Sequence, residues 1–299
     1  MTLVLAWIRK KKKVEELVIA SDSRLRWGQA WDACPKIFRT NRGDTVLGFA
    51  GDTMYSYPLI LQAYNHISLH KASLSRELDI HDLKGHLERV FNNMLNDISD
   101  FRSNAKSFEP PESLFIMAGY SWRDRQFELW KVRYENHIKK FVWQTAGGLR
   151  SVGESNRLIV IGYPSMSDKQ RRYLISKNLV PPVPRDEDVK IIALRRIAKL
   201  VKQRGGLVSR GLDMEPFEIL RDLLREKVSP HIGGAPQLVK IYPSCNSTHF
   251  GVLWPNKESN SVAVSGRMLL QYERLDCPLI DPDTLEIGIH LWPAKKEKK

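Results

Sequence analysis

The chain has 299 residues, 42% of them hydrophobic and 27% charged, which is the balance of an ordinary globular protein and not of a disordered or fibrous one. Its formal charge of +13 admits polyanionic or acidic partners, although Arg9 to Lys13 and the terminal Lys-Lys-Glu-Lys-Lys hold much of the excess. Three scattered cysteines (Cys34, Cys245, Cys277) argue against a disulfide framework or a cysteine zinc site, and no apolar run approaches the ~20 residues of a membrane span, so a soluble cytoplasmic protein is expected.

The first element is "TLVLAWI", apolar on both alternating faces, as in a strand covered on two sides. Its positive charges follow it instead of preceding it, and no small-residue cleavage site is present, so it does not read as a signal peptide. Val18 to Ala20 supply a second strand, with the lysine-rich stretch expected as the hairpin loop between them. Short strands follow at Cys34 to Phe38 and Val46 to Ala50, the latter closing on "GFAGD", where glycine permits a tight exit. Helices are predicted from Met54 to about His70 and from Asp79 to Asn104; in the second, Leu83, Leu87, Val90, Phe91, Met94, Leu95, Ile98 and Phe101 form one apolar stripe.

After Pro110-Pro111, "SLFIMAGYSW", "QFELWKVRY", "KKFVWQT" and "RLIVIGYP" read as strands. A proline-stiffened loop then leads to helices near Asp186 to Arg204 and Glu215 to Lys227, and "IGGAPQLVKIY" and "HFGVLWP" read as late strands. Past about Gly266 the pattern weakens, giving a division into a main domain (1–265) and a C-terminal extension (266–299). Strands and helices come in blocks, which favours stacked sheets with helical outer layers over a parallel, doubly wound sheet. There is no fixed-period repeat.

The first fifth of the chain carries a specific constellation: a threonine at the head of strand one, "SDSR" closing strand two, "CPKIFR" about a dozen residues later, and "GFAGDT" entering the first helix. This order resembles the proteasome beta-subunit branch of the N-terminal nucleophile (Ntn) hydrolases, including HslV-type and ancestral beta-subunit (Anbu-like) bacterial peptidases, and the likeness covers most of the chain. The resemblance implies an α+β fold, a four-layer αββα sandwich of two stacked, mainly antiparallel sheets. It also implies that Thr2 is the nucleophile, that Asp22 and Lys36 are its charged partners and that Gly51 is the oxyanion donor. Leu25, Cys34, Phe49 and Thr53 would line a mostly apolar specificity pocket.

The chemistry can be argued on its own terms. A threonine hydroxyl is a weak nucleophile at neutral pH, and the α-amino group of a terminal threonine, with a pKa of about 8, is a base within reach. Met1 would have to be removed, and threonine is small enough for a methionine aminopeptidase to expose it. A buried ammonium beside the hydroxyl disfavours a positive amine and stabilises an alkoxide-like state, while a carboxylate keeps that ammonium charged and oriented. Backbone N–H groups at a glycine turn stabilise the tetrahedral oxyanion. The expected reaction is amide or peptide hydrolysis through an acyl-enzyme ester, with no cofactor and no metal. The resemblance adds a self-compartmentalised homo-oligomer, a peptide or protein substrate and, where one serves it, a separate unfolding ATPase.

The family's supporting serine in a "GSG" turn is replaced here by Tyr163 in "IGYPS", with Ser165 nearby. The late "SGG" reads "SPHIGG", with Ser229 as a candidate auxiliary hydroxyl and Ile232 at the family's serine position. These departures keep a second reading open, a catalytically inactive proteasome-like structural subunit. His66 and His70 share a helical face but lack a third ligand, so metal binding is not expected of them. The lysine run has no interleaved aromatic residues, so nucleic acid is not expected as a partner. GxxxxGK[ST], HExxH and GxSxG are all missing from the chain, which removes support for nucleotide hydrolysis, zinc proteolysis and serine-elbow chemistry.

Overall fold

The computed structural model describes residues 2–11, 14–27, 29–98, 111–146, 157–162, 188–208 and 211–288. Met1, Lys12, Lys13, Tyr163, Ser165, Phe101 and the charged terminal run, all singled out above, lie outside the described residues. Strands β1 (Leu3–Lys11) and β2 (Val14–Ser21) open the fold, followed by β3 (Leu25–Trp27), β4 (Gln29–Trp31), β5 (Ile37–Arg39) and β6 (Thr45–Gly51). Helices α1 (Thr53–Leu69), α2 (Lys71–Leu74) and α3 (Ile80–Met94) come next, then β7 (Ser113–Ser121), β8 (Gln126–Glu135), β9 (Lys140–Thr145) and β10 (Leu158–Gly162). Helices α4 (Val189–Gln203) and α5 (Glu215–Arg225) precede β11 (Gln237–Tyr242) and β12 (Asn246–Leu253). The short strands β13 (Val262–Val264), β14 (Arg267–Met268), β15 (Leu279–Ile280) and β16 (Ile287–Gly288) close the described chain.

One sheet runs β10-β1-β2-β11-β12-β13-β14, with β15 and β16 joined to it through β12, and a second runs β5-β6-β7-β8-β9. Among the described pairings between named strands only β12 with β15 is parallel, and an isolated bridge from Arg9 to Leu212 is the other parallel contact. The doubly apolar pattern of β1 follows directly from this stacking. Leu3, Leu5 and Trp7 face α4 and α5, where they meet Ala193, Ile197, Phe217 and Leu220. Val4, Ala6 and Ile8 point the other way, into a layer shared with Val46, Ile116 and Ala118 of the second sheet. The far face of the second sheet packs Phe115, Met117, Trp130 and Phe141 against Leu59, Ile60, Leu83, Leu87 and Phe91 of α1 and α3. The chain is thus an α+β sandwich of mainly antiparallel sheets with helices on its outer faces.

Three local outcomes differ from expectation. The basic run is not all loop: Arg9, Lys10 and Lys11 continue β1, because the register sets Arg9 opposite Glu16 and Lys10 opposite Glu15. Opposite charges facing across an antiparallel pair stabilise it, so part of the positive excess is neutralised within the sheet. Helix α3 ends at Met94, tightens into a 3-10 turn over Leu95–Asp97 and turns extended at Ile98. Asn92 accounts for the stop: its side chain accepts from Phe141 N at 2.7 Å and donates to Phe141 O at 3.1 Å, tying the helix end to β9. Finally, residues assigned to the C-terminal extension supply Leu279 and Ile280, both buried, which pair with Gly251 and Val252.

His249, on β12 beside Arg39, gives the first sheet an acid sensitivity. Burial, and then the Arg39 cation, push its imidazole down to about 4 from an ordinary 6.5. A base with a depressed folded pKa stays neutral in the native state while the unfolded chain takes up a proton, so its stability contribution is complete above pH 6.5 and is lost as pH falls toward 4. The expected loss is about 3 kcal/mol. Urea titrations at pH 7 and pH 4 should show a His249→Gln variant losing less stability than the parent by about that amount; equal losses would assign the acid sensitivity elsewhere.

Candidate active site

The β1–β2 hairpin brings Thr2 and Asp22 to the same end of the first sheet, since Val4 pairs with Ser21 and Asp22 N donates to Leu3 O at 3.3 Å. Asp22 is fully buried, and each of its oxygens is used. Oδ1 accepts from Leu3 N at 3.0 Å and from Lys36 Nζ at 2.8 Å. Oδ2 accepts from Arg24 N at 3.1 Å and from Gly233 N at 3.2 Å. One carboxylate therefore joins the peptide immediately after Thr2, the lysine ammonium and the late "IGG" turn.

Lys36 is also fully buried and donates a second bond to Arg24 O at 2.5 Å. Burial pushes its ammonium pKa below the ordinary lysine value, and the adjacent Asp22 carboxylate opposes that shift. Gln237 holds the lysine's backbone in place: its side chain accepts from Lys36 N at 3.0 Å while donating to Cys34 O at 2.8 Å and Asp22 O at 3.2 Å. A buried ion pair is retained at a desolvation cost, so its complete hydrogen bonding points to a positioning role.

Thr2 is 4% exposed and lines a cleft of about 450 Å³ together with Leu25, Arg26, Gly51, Asp52, Thr53, Met54 and Tyr57. Gly51 ends β6 at φ +116, and a Cβ there would lie 2.1 Å from Glu112 O, just before the neighbouring strand β7. Only glycine fits both constraints. Gly51→Ala should therefore destabilise by about 2–3 kcal/mol, as measured by urea denaturation, from backbone strain and steric overlap. A loss within 0.5 kcal/mol, roughly that of a neutral surface change, would mean the β6 end relaxes freely.

Of the residues expected to line a pocket, Leu25 and Thr53 do so, whereas Cys34 and Phe49 are buried and do not reach the cleft surface. Phe49 packs against Tyr57 with ring centroids 5.1 Å apart, and Tyr57 Oη donates to Pro35 O at 3.1 Å. Burial raises both the Cys34 thiol and the Tyr57 phenol above their ordinary pKa values, so both stay neutral at pH 7. The lining is more polar than the expected apolar one, because Arg26 and Asp52 also reach it. Arg26 comes from the short exposed β3–β4 hairpin, which lacks a strong alternation, while Asp52 is the N-cap of α1, accepting from Met54 N at 2.9 Å.

Ser229 is buried, with Oγ accepting from His231 N at 3.3 Å. Ile232 is buried in the core beneath α4 and α5. What the "IGG" turn supplies to Asp22 is backbone: Gly233 N–H reaches the carboxylate, and a Cβ on Gly233 would collide with the Arg24 guanidinium at 2.4 Å. Arg24 in turn forms a two-point pair with Asp32, at 2.6 and 2.7 Å, which lowers the Asp32 pKa and braces the segment around Asp22. His66 and His70 stack with His86, the His66–His86 centroids lying 4.2 Å apart. Among the described residues their ligand atoms do not converge on a common point. Compared with known proteins, the chain matches no family model and no curated protein.

Proposed function

We propose that the chain is an N-terminal threonine amide or peptide hydrolase of the proteasome-like Ntn class, with Thr2 as nucleophile after removal of Met1. The observation that carries this reading is the shared Asp22 Oδ1, which accepts from both the Leu3 amide following Thr2 and the fully buried Lys36. The α+β sandwich with helices outside both sheets supports the four-layer Ntn architecture, and Thr2 and Gly51 line one cleft.

In this mechanism the freed amine of Thr2 takes the proton from its own hydroxyl as the oxygen attacks a carbonyl in the cleft. Lys36, held charged by Asp22, keeps the amine neutral and stabilises the developing alkoxide. Gly51 provides the oxyanion contact as the carbonyl becomes tetrahedral. The amine then protonates the leaving nitrogen, an ester forms on Thr2, and water attacks it with the amine again acting as base. Leu25, Met54 and Tyr57 offer apolar contact, with Arg26 and Asp52 placing charge at the same cleft. The working form is a homo-oligomer acting on peptides or proteins, with any unfolding motor carried on a separate ATPase.

A second reading, an inactive structural subunit, draws on Ile232, which packs in the core and brings no polar group to Thr2. Intact mass of protein from its native source, before and after a threonine-directed electrophile, separates the two. Loss of Met1 with a single adduct mapping to Thr2 is expected. A retained Met1 with no adduct would overturn the hydrolase reading in favour of the scaffold.

A further inference from the structure

A separate cluster lies on the helix-covered face of the second sheet, where α3 begins beside the β7–β8 turn. His81 Nε2 sits 3.0 Å from Asp124 Oδ2 and 3.6 Å from Glu128 Oε1. One ligand atom from each of the three residues falls within 4.8 Å of the others. His81 Nε2 is itself shielded from solvent, yet it is aligned for a hydrogen bond with neither carboxylate. Three potential ligand atoms thus converge, and a cation shared among them would satisfy the otherwise unpartnered imidazole nitrogen.

The cluster is held by rigid parts. Buried Asp79 caps α3 by accepting from His81 N at 3.1 Å and also accepts from Ser121 Oγ at 3.1 Å and Arg123 N at 3.3 Å, locking the helix start to the turn that carries Asp124. The His81 ring stands edge-on to Trp130 at 5.2 Å, which limits its rotation. Gln126 Nε2 donates to Glu128 Oε1 at 2.7 Å, the kind of outer contact that orients a ligating carboxylate. Arg123, next to Asp124 in the chain, is spent on Asp82 at 2.5 Å.

From this geometry we propose that His81, Asp124 and Glu128 bind a divalent transition-metal ion of the Zn²⁺ class, stapling α3 to the β7–β8 turn. Two donors each about 2.1 Å from a tetrahedral Zn²⁺ stand about 3.4 Å apart. The separations of 3.0 and 3.6 Å bracket that spacing. One imidazole with two carboxylates suits Zn²⁺, whereas Ca²⁺ needs more oxygen ligands and Mg²⁺ prefers carboxylate, phosphate and water. With three protein ligands, the remaining position falls to water.

The site is independent of Thr2, so its test does not depend on hydrolysis. The chelator-stripped full chain is titrated calorimetrically with ZnCl₂ and with MgCl₂, and thermal unfolding is followed in parallel. Zn²⁺ should bind at one site lost in the variants, raise the unfolding temperature, and bind at least ~10-fold more tightly than Mg²⁺. Asp124→Asn and Glu128→Gln, both near-isosteric, should each weaken Zn²⁺ at least ~10-fold, the double variant should abolish that site, and His66→Ala should leave it unchanged. Zn²⁺ binding that persists unaltered in the double variant, or no thermal shift with Zn²⁺ in the parent, would overturn the proposal.

Discussion

Thr2→Ala is expected to lower hydrolysis of short reporter peptides by at least about 10⁴-fold and to abolish labelling by a threonine-directed electrophile, because it deletes the attacking oxygen and leaves the rest of the site in place. The backbone around Thr2 is fixed by Leu3 N to Asp22 Oδ1 and by the Leu3 pairing with Gly162, neither of which uses the side chain. Stability should therefore fall by only about 1 kcal/mol, from the lost packing of a small buried side chain. Thr2→Ser restores a hydroxyl at the same atom beside the same amine and should recover measurable turnover and labelling. Undiminished hydrolysis by Thr2→Ala would eliminate Thr2 as the nucleophile, whatever the fate of Met1.

Lys36→Met should be the most destabilising single change at the site. Methionine preserves most of the side-chain volume, so the cost is mainly electrostatic: Asp22, fully buried, loses its only side-chain cation partner among the described residues, and Arg24 O loses a donor. Removing one member of a buried pair typically costs about 3–5 kcal/mol, since the remaining charge stays desolvated. Chemical denaturation checks the magnitude. Adding Asp22→Asn to Lys36→Met should recover part of the loss, because the orphaned charge disappears, and the double-mutant cycle then reports the coupling directly. A loss below 1 kcal/mol for Lys36→Met would show that water reaches Asp22 and that the ammonium is not confined as described. On the proposed mechanism the same variant also loses labelling at Thr2, since the ammonium that favours the neutral amine is gone.

Much of the architecture was readable from periodicity. The doubly apolar β1, the stripe of α3 and the strand block from Ser113 to Thr145 all describe surfaces that must be covered on particular sides, and the sheets and helices cover them. The β3–β4 hairpin and β15 were not readable. Gln29–Trp31 is exposed along its length, and β15 holds only two residues whose partner, Gly251–Val252, is about 28 positions away. A pairing that short has no pattern of its own and exists only because the neighbouring strand presents free hydrogen-bonding groups.

At the site, the residue types were legible and their connections were not. In the sequence Asp22 closes the second strand and Lys36 falls inside the short strand expected over Cys34 to Phe38, so that singly the one reads as a turn residue and the other as a surface lysine. Folding buries both, and among the described residues each is satisfied by the other and by backbone groups of Leu3, Arg24 and Gly233. The His81 cluster was not legible at all: no spacing links Asp124 and Glu128 to a histidine more than 40 positions earlier. By itself the sequence determined which faces are apolar, where the glycines must stand and that a threonine heads a buried strand, since these follow from local chemistry and periodicity. Only the tertiary structure decided which distant charges share an oxygen, because long-range electrostatic contacts depend on strand register and layer stacking, which no local window encodes.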